Sequence, residues 1–305
     1  MFINVLTQVL ILFVLIVLGA ILTKTGILSE KAVKSMTDMV LILVTPCVII
    51  KSFSKEFDSS VLKDLLLSFL ITAIAHIGFI LLSYLLIHDK NDSTERVLRF
   101  AAIFSNCGFM AIPLQQALLG DEGVFYASSY VAIFNLFIWS YGIIMMSGDK
   151  KYLSLKKIFI NPGIIGLGIG LIIFFFSIPL PKVISEPINY MAGLNTPLPM
   201  IIIGYHLMNT DIIKSLKNLK CLYAITLKLV VYPLIGMAVM YLCGLRGTIF
   251  VSSVISFTAP VAAITTMFSS KFEKDTAASV NMVSLSTALS LITMPIIITF
   301  AQYIA

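Results

Sequence analysis

Residues 100–114 read FAAIFSNCGFMAIPL, and residues 257–268 read FTAPVAAITTMF. Each stretch lies inside an apolar segment, at 96–118 and 247–270, that is long enough to cross a bilayer. The residues that interrupt these segments near the middle are Asn106, Gly108 and Pro113 in the first and Ala259 and Pro260 in the second. Interrupted backbone is tolerated at membrane depth only where it is buried in protein or lines a cavity. Paired interruptions in the two halves of a chain therefore predict the substrate site of a carrier.

The composition is typical of a membrane protein. Of the 305 residues, 59% are hydrophobic and only 12% are charged, and the mean hydropathy is +1.02. A soluble domain carries about 25% charged residues, so we predict an all-α polytopic membrane protein with no soluble domain. The net charge of +6 does not indicate binding to nucleic acid, because the basic residues lie in short loops, where they set the orientation in the membrane.

Ten apolar segments predict ten transmembrane helices, which we number as spans 1 to 10. They are 3–22, 33–51, 64–87, 96–118, 123–147, 158–176, 187–207, 221–243, 247–270 and 275–302. The odd-numbered connections hold fifteen Lys and Arg residues and the even-numbered connections hold five, while Lys228 lies within span 8. Since basic residues favour the cytoplasmic side, the odd connections are predicted to be cytoplasmic and both termini to lie outside.

The ten spans divide into two groups of five. We predict a first repeat at 1–147, a cytoplasmic linker at 148–157 and a second repeat at 158–305. Because five is an odd number, the second repeat must insert with the opposite orientation. The residues that recur at an offset of 151 are Thr45-Pro46 with Thr196-Pro197 and Gly19 with Gly170. Together with the two interrupted spans, these echoes favour an inverted repeat.

The predicted topology brings the two interruptions together. Span 4 runs outward and span 9 runs inward, so a new half-helix begins near the bilayer centre after each break. The N termini of these half-helices carry free N–H groups and the positive end of a helix dipole, which favours an anion. The residues predicted to frame the site are Asn106, Gly108, Pro113, Ala259 and Pro260, with Thr45, Pro46, Asn195 and Thr196 facing it from spans 2 and 7. For Asn106 the alternative is a structural hydrogen bond between helices, and for Asn195 and Thr196 it is simple packing.

Three titratable residues inside the spans have both a functional and a structural interpretation. Lys228, about two turns from the cytoplasmic end of span 8, either snorkels to the interface or attracts the anion and pairs with Asp38 in span 2. His76, in the middle of span 3, is either a proton relay or a hydrogen-bonded structural histidine. We therefore keep Lys228 as a candidate for substrate binding, and Asp38 and His76 as candidates for ion or proton coupling.

Several classes of function lack the motifs that they need. No carboxylate lies in the middle of a span, which argues against the Asp-rich ion sites of cation/proton antiporters. The sequence has no P-loop, HExxH or GxSxG motif, and its Cys and His residues do not have metal-ligand spacing. We therefore predict no enzyme activity, no cofactor and no metal site.

Over essentially its whole length the chain resembles the auxin efflux carrier family, which includes plant auxin carriers and shorter bacterial organic-acid permeases. The segments that carry the resemblance are SNCGFMAIP at 105–113, GLNTPLPMIIIG at 193–204, KLVVYP at 228–233 and TAP at 258–260. The resemblance implies ten helices, of which helices 4 and 9 cross beside the substrate, and transport of an organic acid anion by alternating access. It also implies that Asn106 and the breaks at Pro113 and Pro260 contact or frame the carboxylate.

The short linker is similar to that of the bacterial type, for which the expected substrates are small carboxylates such as malate or malonate. The primary prediction is thus a secondary carrier for such an anion in the plasma membrane. Its partners are the anion and the lipid bilayer, and the resemblance allows a homodimer. One alternative is a sodium-coupled organic anion symporter of the bile-acid type, which sodium-dependent uptake would distinguish. Another is a membrane receptor or channel without coupled transport, which saturable counterflow of a labelled acid would contradict.

Overall fold

The computed structural model describes residues 2–153, 156, 159–209 and 216–305, and this part of the chain is almost entirely helical. In chain order the helices are α1 (Phe2–Lys24), α2 (Glu30–Phe53), α3 (Ser59–Leu86), α4 (Asp92–Ile103), α5 (Cys107–Ser147), α6 (Pro162–Phe175), α7 (Lys182–Gly193), α8 (Pro197–Met208), α9 (Leu219–Leu242), α10 (Gly247–Thr258), α11 (Ile264–Lys271) and α12 (Thr276–Ile304). A short 3₁₀ turn at Lys150–Tyr152 follows α5.

Five of the described helices, α2, α3, α5, α9 and α12, are long and apolar enough to cross a membrane. Helix α3 illustrates the membrane pattern. The large apolar residues on its exposed side are Leu66, Leu70, Ile74, Ile77, Leu81 and Leu85. The polar residues on its buried side are Ser68, Thr72, His76 and Ser83. A soluble amphipathic helix has the opposite polarity, so the chain is a multi-pass membrane protein whose exposed apolar faces suit lipid.

Two close helix contacts are related by the offset found in the sequence. Helix α1 packs against α8, and a Cβ added to Gly204 would lie 2.9 Å from the Cα atom of Gly19. Helix α2 packs against α6, and a Cβ added to Gly170 would lie 3.0 Å from the Cβ atom of Phe53. Gly19 and Gly170 are 151 residues apart, and so are Phe53 and Gly204. The equivalence of these two contacts supports an internal duplication.

Prolines explain three π-helical turns, each of which contains about one residue more than an α-helical turn. These three π-helical segments are Val40–Val44 in α2, Cys107–Ala111 in α5 and Leu227–Val231 in α9, and a proline follows each by two residues. A fourth, Ile138–Gly142 in α5, has no proline after it. A proline lacks an N–H group, and its ring collides with the carbonyl four residues earlier. The wider turn relieves this collision, since the residue before each proline donates to the carbonyl five residues back. Such widened turns are frequent at functional sites.

The structure differs from the predicted spans in two places. The loop predicted between spans 4 and 5 is shorter than expected, because two helices within Cys107–Ser147 are joined directly at Gly120, whose non-helical φ of 65° is readily adopted by glycine. Span 7 was predicted as one helix over 187–207 but forms two, α7 and α8, separated at residues 194–196. Pro197 and Pro199 explain this break, because a helix tolerates prolines in its first turn rather than in its interior.

The predicted linker 148–157 is described only in part. Helix α5 ends at Gly148, which has a φ of 78°, before the turn at Lys150–Tyr152. Lys157 and Lys214, which contribute to the count of basic loop residues, lie outside the described residues. The division into two repeats joined by this linker stays a prediction.

Candidate functional site

The first interruption separates α4 from α5. Phe104, with φ −95° and ψ 114°, ends α4 in an extended conformation, and α5 begins at Cys107. The Asn106 side chain accepts a hydrogen bond of 3.2 Å from the N–H group of Phe109, so it caps the new helix. Asparagine is among the best residues for this position, because its side-chain oxygen satisfies an N–H group that the helix leaves free. Asn106 therefore defines where α5 starts.

The second interruption separates α10 from α11. Ala259 is extended, with φ −59° and ψ 143°, and a new helix begins only at Ile264. Proline disfavours the helical conformation in the residue that precedes it, so Pro260 accounts for the end of α10. Ala259 and Pro260 are both buried.

The two interrupted segments lie side by side and satisfy each other's backbone. Asn106 donates its N–H to the carbonyl oxygen of Pro260 at 2.7 Å, and Ala262 donates to that of Phe104 at 3.0 Å. Ser105 and Val261 thereby form an isolated antiparallel bridge. We call residues 104–106 and 259–263 the crossover. Exposed peptide groups are too costly in lipid, so this mutual pairing allows two helices to break in the interior.

Lys228 lies beside the crossover and is fully buried. Its Nζ atom donates a hydrogen bond to the Ser105 hydroxyl and lies 3.5 Å from the carbonyl oxygen of Phe257. Ser105 accepts a second hydrogen bond, of 3.0 Å, from the Tyr130 hydroxyl. Burial of Lys228 excludes the snorkelling alternative. Among the described residues no ion pair includes Lys228, and its predicted partner Asp38 is exposed.

A family model described as membrane transport protein matches residues 4–155 and 151–298. This chain belongs to the membrane transport protein family, the family of the auxin efflux carriers. It is therefore a membrane transporter and not an enzyme, and the resemblance seen in its sequence is confirmed. The two matches meet in the predicted linker, which suggests an internal repeat.

Two archaeal proteins are similar to this transporter along almost their whole length. One, from Methanothermobacter thermautotrophicus, is 25% identical over 292 residues that cover 94% of this chain and 95% of the relative. The other, from Methanocaldococcus jannaschii, is 24% identical over 299 residues that cover 93% of this chain and 94% of the relative. Both are described as uncharacterized transporters. They support transport as the function of this chain without indicating a substrate.

Aromatic side chains enclose the crossover of the transporter on the side of α3. His76 is fully buried, and its Nδ1 atom lies 2.9 Å from the carbonyl oxygen of Thr72, which requires the proton on Nδ1. The centroid of its ring is 5.0 Å from that of Tyr130 and 5.2 Å from that of Phe137. His76 Nε2 has no hydrogen-bond partner among the described atoms. His76 thus adjoins the Tyr130–Ser105–Lys228 chain of hydrogen bonds without being a member of it.

A second polar cluster joins the helix after the first break to the helix before the second. Gln115 of α5 donates to the Ser256 hydroxyl at 3.0 Å and accepts from the Ser252 hydroxyl at 2.6 Å. Val261 of the crossover donates its N–H to the Ser286 hydroxyl of α12 at 3.0 Å. These interhelical bonds hold α5, α10 and α12 around the crossover.

The remaining predicted residues occupy different settings. Gly108 borders open space, since a Cβ added there would have no atom within 4 Å, whereas Pro113 is buried. Thr45 and Asn195 are buried, and their side chains have no hydrogen-bond partner among the described atoms. Pro46 packs against Gly166, where an added Cβ would be 2.8 Å from the proline Cα, and Thr196 is half-buried at the start of α8. No hydrogen bond among the described residues connects these four positions in α2 and around the start of α8 to the crossover.

Sequence reasoning missed Ser105, Tyr130 and Gln115. Ser105 directly precedes the Asn106 cap, and Gln115 follows Pro113 by two residues, so both lie next to the recognised break. A polar residue within a turn of an interrupted span is the signal that would have found them. Tyr130 lies within an apolar stretch of α5 and has no comparable signal.

Proposed function

We propose that this transporter moves a small organic acid anion across the plasma membrane by alternating access, with the substrate carboxylate at the crossover. The observation that carries the proposal is the buried Nζ atom of Lys228, whose hydrogen-bonding partners are a hydroxyl and a backbone carbonyl. Malate and malonate are the first candidates, because the short linker resembles that of the bacterial type of the family.

The electrostatic argument follows from burial. An ion moved from water into the interior of a protein loses several kcal/mol even after relaxation, unless a counter-charge compensates it. No ion pair among the described residues includes Lys228, so the protein itself provides no carboxylate for it. A bound organic acid would provide it, and the two opposite charges would then form a hydrogen-bonded pair at the crossover.

The start of α5 is a second feature that favours an anion at this place. The dipole of a helix is positive at its N terminus, and this end of α5 keeps that polarity although the N–H groups of Cys107 and Phe109 already donate to the Ser105 carbonyl and the Asn106 side chain. Asn106 caps α5 next to the open space beside Gly108, so a carboxylate could bind there without displacing protein atoms. The cap and Lys228 are connected through adjacent residues, because Ser105 binds Lys228 and Asn106 follows it.

The packing of the helices suggests what moves. Helix α1 packs on α8, and α2 packs on both α6 and α7, whereas α10 packs on α5, α9 and α12. We propose that the first group is a scaffold and that the second, which contains the crossover, slides against it. In this arrangement ten spans form an inverted five-plus-five repeat, with the crossover at spans 4 and 9 and both termini outside.

The experiment that tests the proposal is counterflow in liposomes that contain the purified transporter. Labelled malate, malonate, lactate and indole-3-acetate are compared in wild type, in Asn106→Ala and in Asn218→Ala. Asn218 is a matched control, since its side chain caps α9 by accepting an equal hydrogen bond of 3.2 Å from the N–H group of Cys221 but lies outside the crossover. Removing either cap costs about 1 kcal/mol of stability, so a difference in transport reflects the position of the residue.

We expect saturable counterflow of at least one acid in wild type and in Asn218→Ala, and a loss in Asn106→Ala. Counterflow that survives equally in both variants would place the carboxylate elsewhere. Exchange of none of the four acids would contradict an organic acid substrate, and a requirement for sodium would favour the bile-acid type of symporter.

A homodimer stays a prediction of the family resemblance, which the molar mass of the detergent-solubilised protein tests.

A further inference from the structure

Lys228 has a hydrogen-bonding partner that suits both of its protonation states. A hydroxyl group has one proton to donate and two lone pairs that accept. Ser105 can therefore accept from an ammonium group, and it can donate to the lone pair of a neutral amine. Tyr130 donates to the other lone pair of Ser105 and fixes the position of the hydroxyl oxygen. A carboxylate partner would stabilise only the ammonium form of the lysine. The Ser105 hydroxyl can bind both forms, so Lys228 can lose its proton without losing its hydrogen bond.

The surroundings of Lys228 contain few groups that compete for this proton. Its π-helical segment packs against α4, α10 and α12. Helix α10 has no titratable residue, and α12 has only Tyr303, near its end. The titratable residues of α4 lie in its first two turns and pair with one another, Arg96 with Asp92 and Arg99 with Glu95. The nearer groups are Cys107, His76 and, through Ser105, Tyr130, and the titratable residues of α9 itself are Lys220, Cys221, Tyr223, Tyr232 and Tyr241.

We infer that Lys228 is a proton-binding site of this transporter and that one proton, bound to Lys228, crosses the membrane with each singly charged acid molecule, in the same direction. This inference rests on the proposed function, because the acid is what makes the ammonium form favourable. The proton comes from water on the side of entry, binds the lone pair of Nζ as the acid binds, and returns to water when the acid leaves. No other bond is made or broken.

The coupling follows from the cost of buried net charge. The empty transporter with a neutral amine has no net charge at the crossover. The transporter that holds an ammonium and a singly charged acid has none either, and malate or malonate meets this condition when one of its carboxyl groups is protonated. An ammonium without acid, or an acid beside a neutral amine, would leave one charge unpaired in the interior, which is strongly unfavourable. The empty transporter with a neutral amine and the loaded transporter with an ammonium are therefore the two forms that change between the inward-facing and outward-facing states. The acid consequently cannot cross unless Lys228 is protonated.

The first test measures proton movement with wild-type protein in liposomes. Each of malate, malonate, lactate and indole-3-acetate is allowed to enter down its own gradient, while a pH-sensitive dye reports protons and a label reports the acid. Protein-free liposomes correct for acids that permeate unaided. For an acid that shows counterflow, we expect one proton per molecule of lactate or indole-3-acetate. For malate or malonate we expect two protons per molecule, because the dianion takes up one proton of its own. Counterflow together with net acid uptake but without proton movement would overturn the inference and leave the proposed function intact.

The second test uses variants that fix the charge. Lys228→Arg keeps a permanent positive charge, so it should still exchange acid for acid. Its empty form is also charged, so the empty transporter should change slowly back to the state that faces the side of entry. We expect the ratio of net proton-coupled uptake to counterflow to be lower than in wild type by roughly tenfold or more. Lys228→Met has no charge, so both activities should be lost. A Lys228→Arg variant that retains wild-type net uptake would contradict the inference, and elution as a single sharp peak in size-exclusion chromatography shows that each variant is folded.

A third measurement needs no substrate, and it separates the hypothesis of a proton site at Lys228 from the hypothesis that an organic acid is transported. The ¹⁵N resonance of the Lys228 side chain, assigned from its absence in Lys228→Met, distinguishes an amine from an ammonium group. We expect an amine in the empty transporter at pH 8, while exposed lysines remain ammonium. An ammonium signal in the empty transporter would overturn the inference whether or not any acid is transported. Absence of counterflow for all four acids, together with an amine signal, would refute the proposed substrate class and leave the proton site standing.

Discussion

Replacing Gly108 with alanine tests whether the substrate binds at the start of α5. A Cβ atom at position 108 would have no protein atom within 4 Å, so the added methyl group fits the empty transporter without strain. Alanine in a helix is also more favourable than glycine by about 0.5–1 kcal/mol. We therefore expect Gly108→Ala to be at least as stable as wild type.

A bound carboxylate changes this balance, because the methyl group would then occupy space that the substrate fills. Adding a methyl group to a filled, well-packed site costs about 1–3 kcal/mol. This energy corresponds to about a 5- to 150-fold loss of affinity. We expect the concentration of acid that gives half-maximal counterflow to rise by a factor in this range, while the thermal midpoint stays at or above that of wild type.

Gly78→Ala is the matched control. Gly78 lies within α3, and an added Cβ there also has no atom within 4 Å, so the substitution has the same local chemistry away from the crossover. Counterflow is measured for both variants with the same acid and the same protein-to-lipid ratio. Equal half-maximal concentrations in Gly108→Ala, Gly78→Ala and wild type would refute a substrate site beside Gly108.

Two further predictions concern stability. Gly204→Ala places a methyl group against the backbone of α1 and should cost about 1–3 kcal/mol of stability. Its thermal midpoint should therefore be lower than that of Gly168→Ala, where an added Cβ has open space. Equal midpoints would contradict the close contact between α1 and α8. The hydrogen bond from Lys220 lowers the pKa of Asp89 below its ordinary value, so this pair stabilises the fold above about pH 4 and the contribution disappears as the pH falls through the lowered pKa. Lys220→Ala should therefore lower the thermal midpoint at pH 7 and match wild type in strong acid; a difference that is constant with pH would exclude this linkage.

Much of the fold could be predicted from the sequence because its causes are local. The spans follow from runs of apolar residues, and the end of α10 follows from the effect of Pro260 on the residue before it. The break within span 7 could also have been read from Pro197 and Pro199, whose spacing places both in the first turn of a helix. The kink at Gly120 is harder to predict, since the loop expected between spans 4 and 5 contracts to a single residue with positive φ.

Prediction of the candidate site was less complete, because the site depends on which sides of distant helices meet. The interruptions at Asn106 and Pro260 could be located from residue type alone, and the structure brings them together through direct backbone hydrogen bonds. Thr45 and Asn195 have the same kind of sequence signal, yet no hydrogen bond of the described residues connects either to the crossover. A proline or a polar residue in a span thus indicates a local disturbance, and the packing around it decides whether a site forms.

The sequence by itself determined that the chain spans a membrane, where its helices break and that its second half echoes the first. These properties depend on apolar length, on proline and asparagine, and on an offset that can be counted. Only the tertiary structure decided that Lys228 meets Ser105, 123 residues away in the chain, and Phe257, 29 residues away. The direction of a side chain within the bilayer is set by the helices packed around it, and in this protein that packing places one buried lysine beside the crossover.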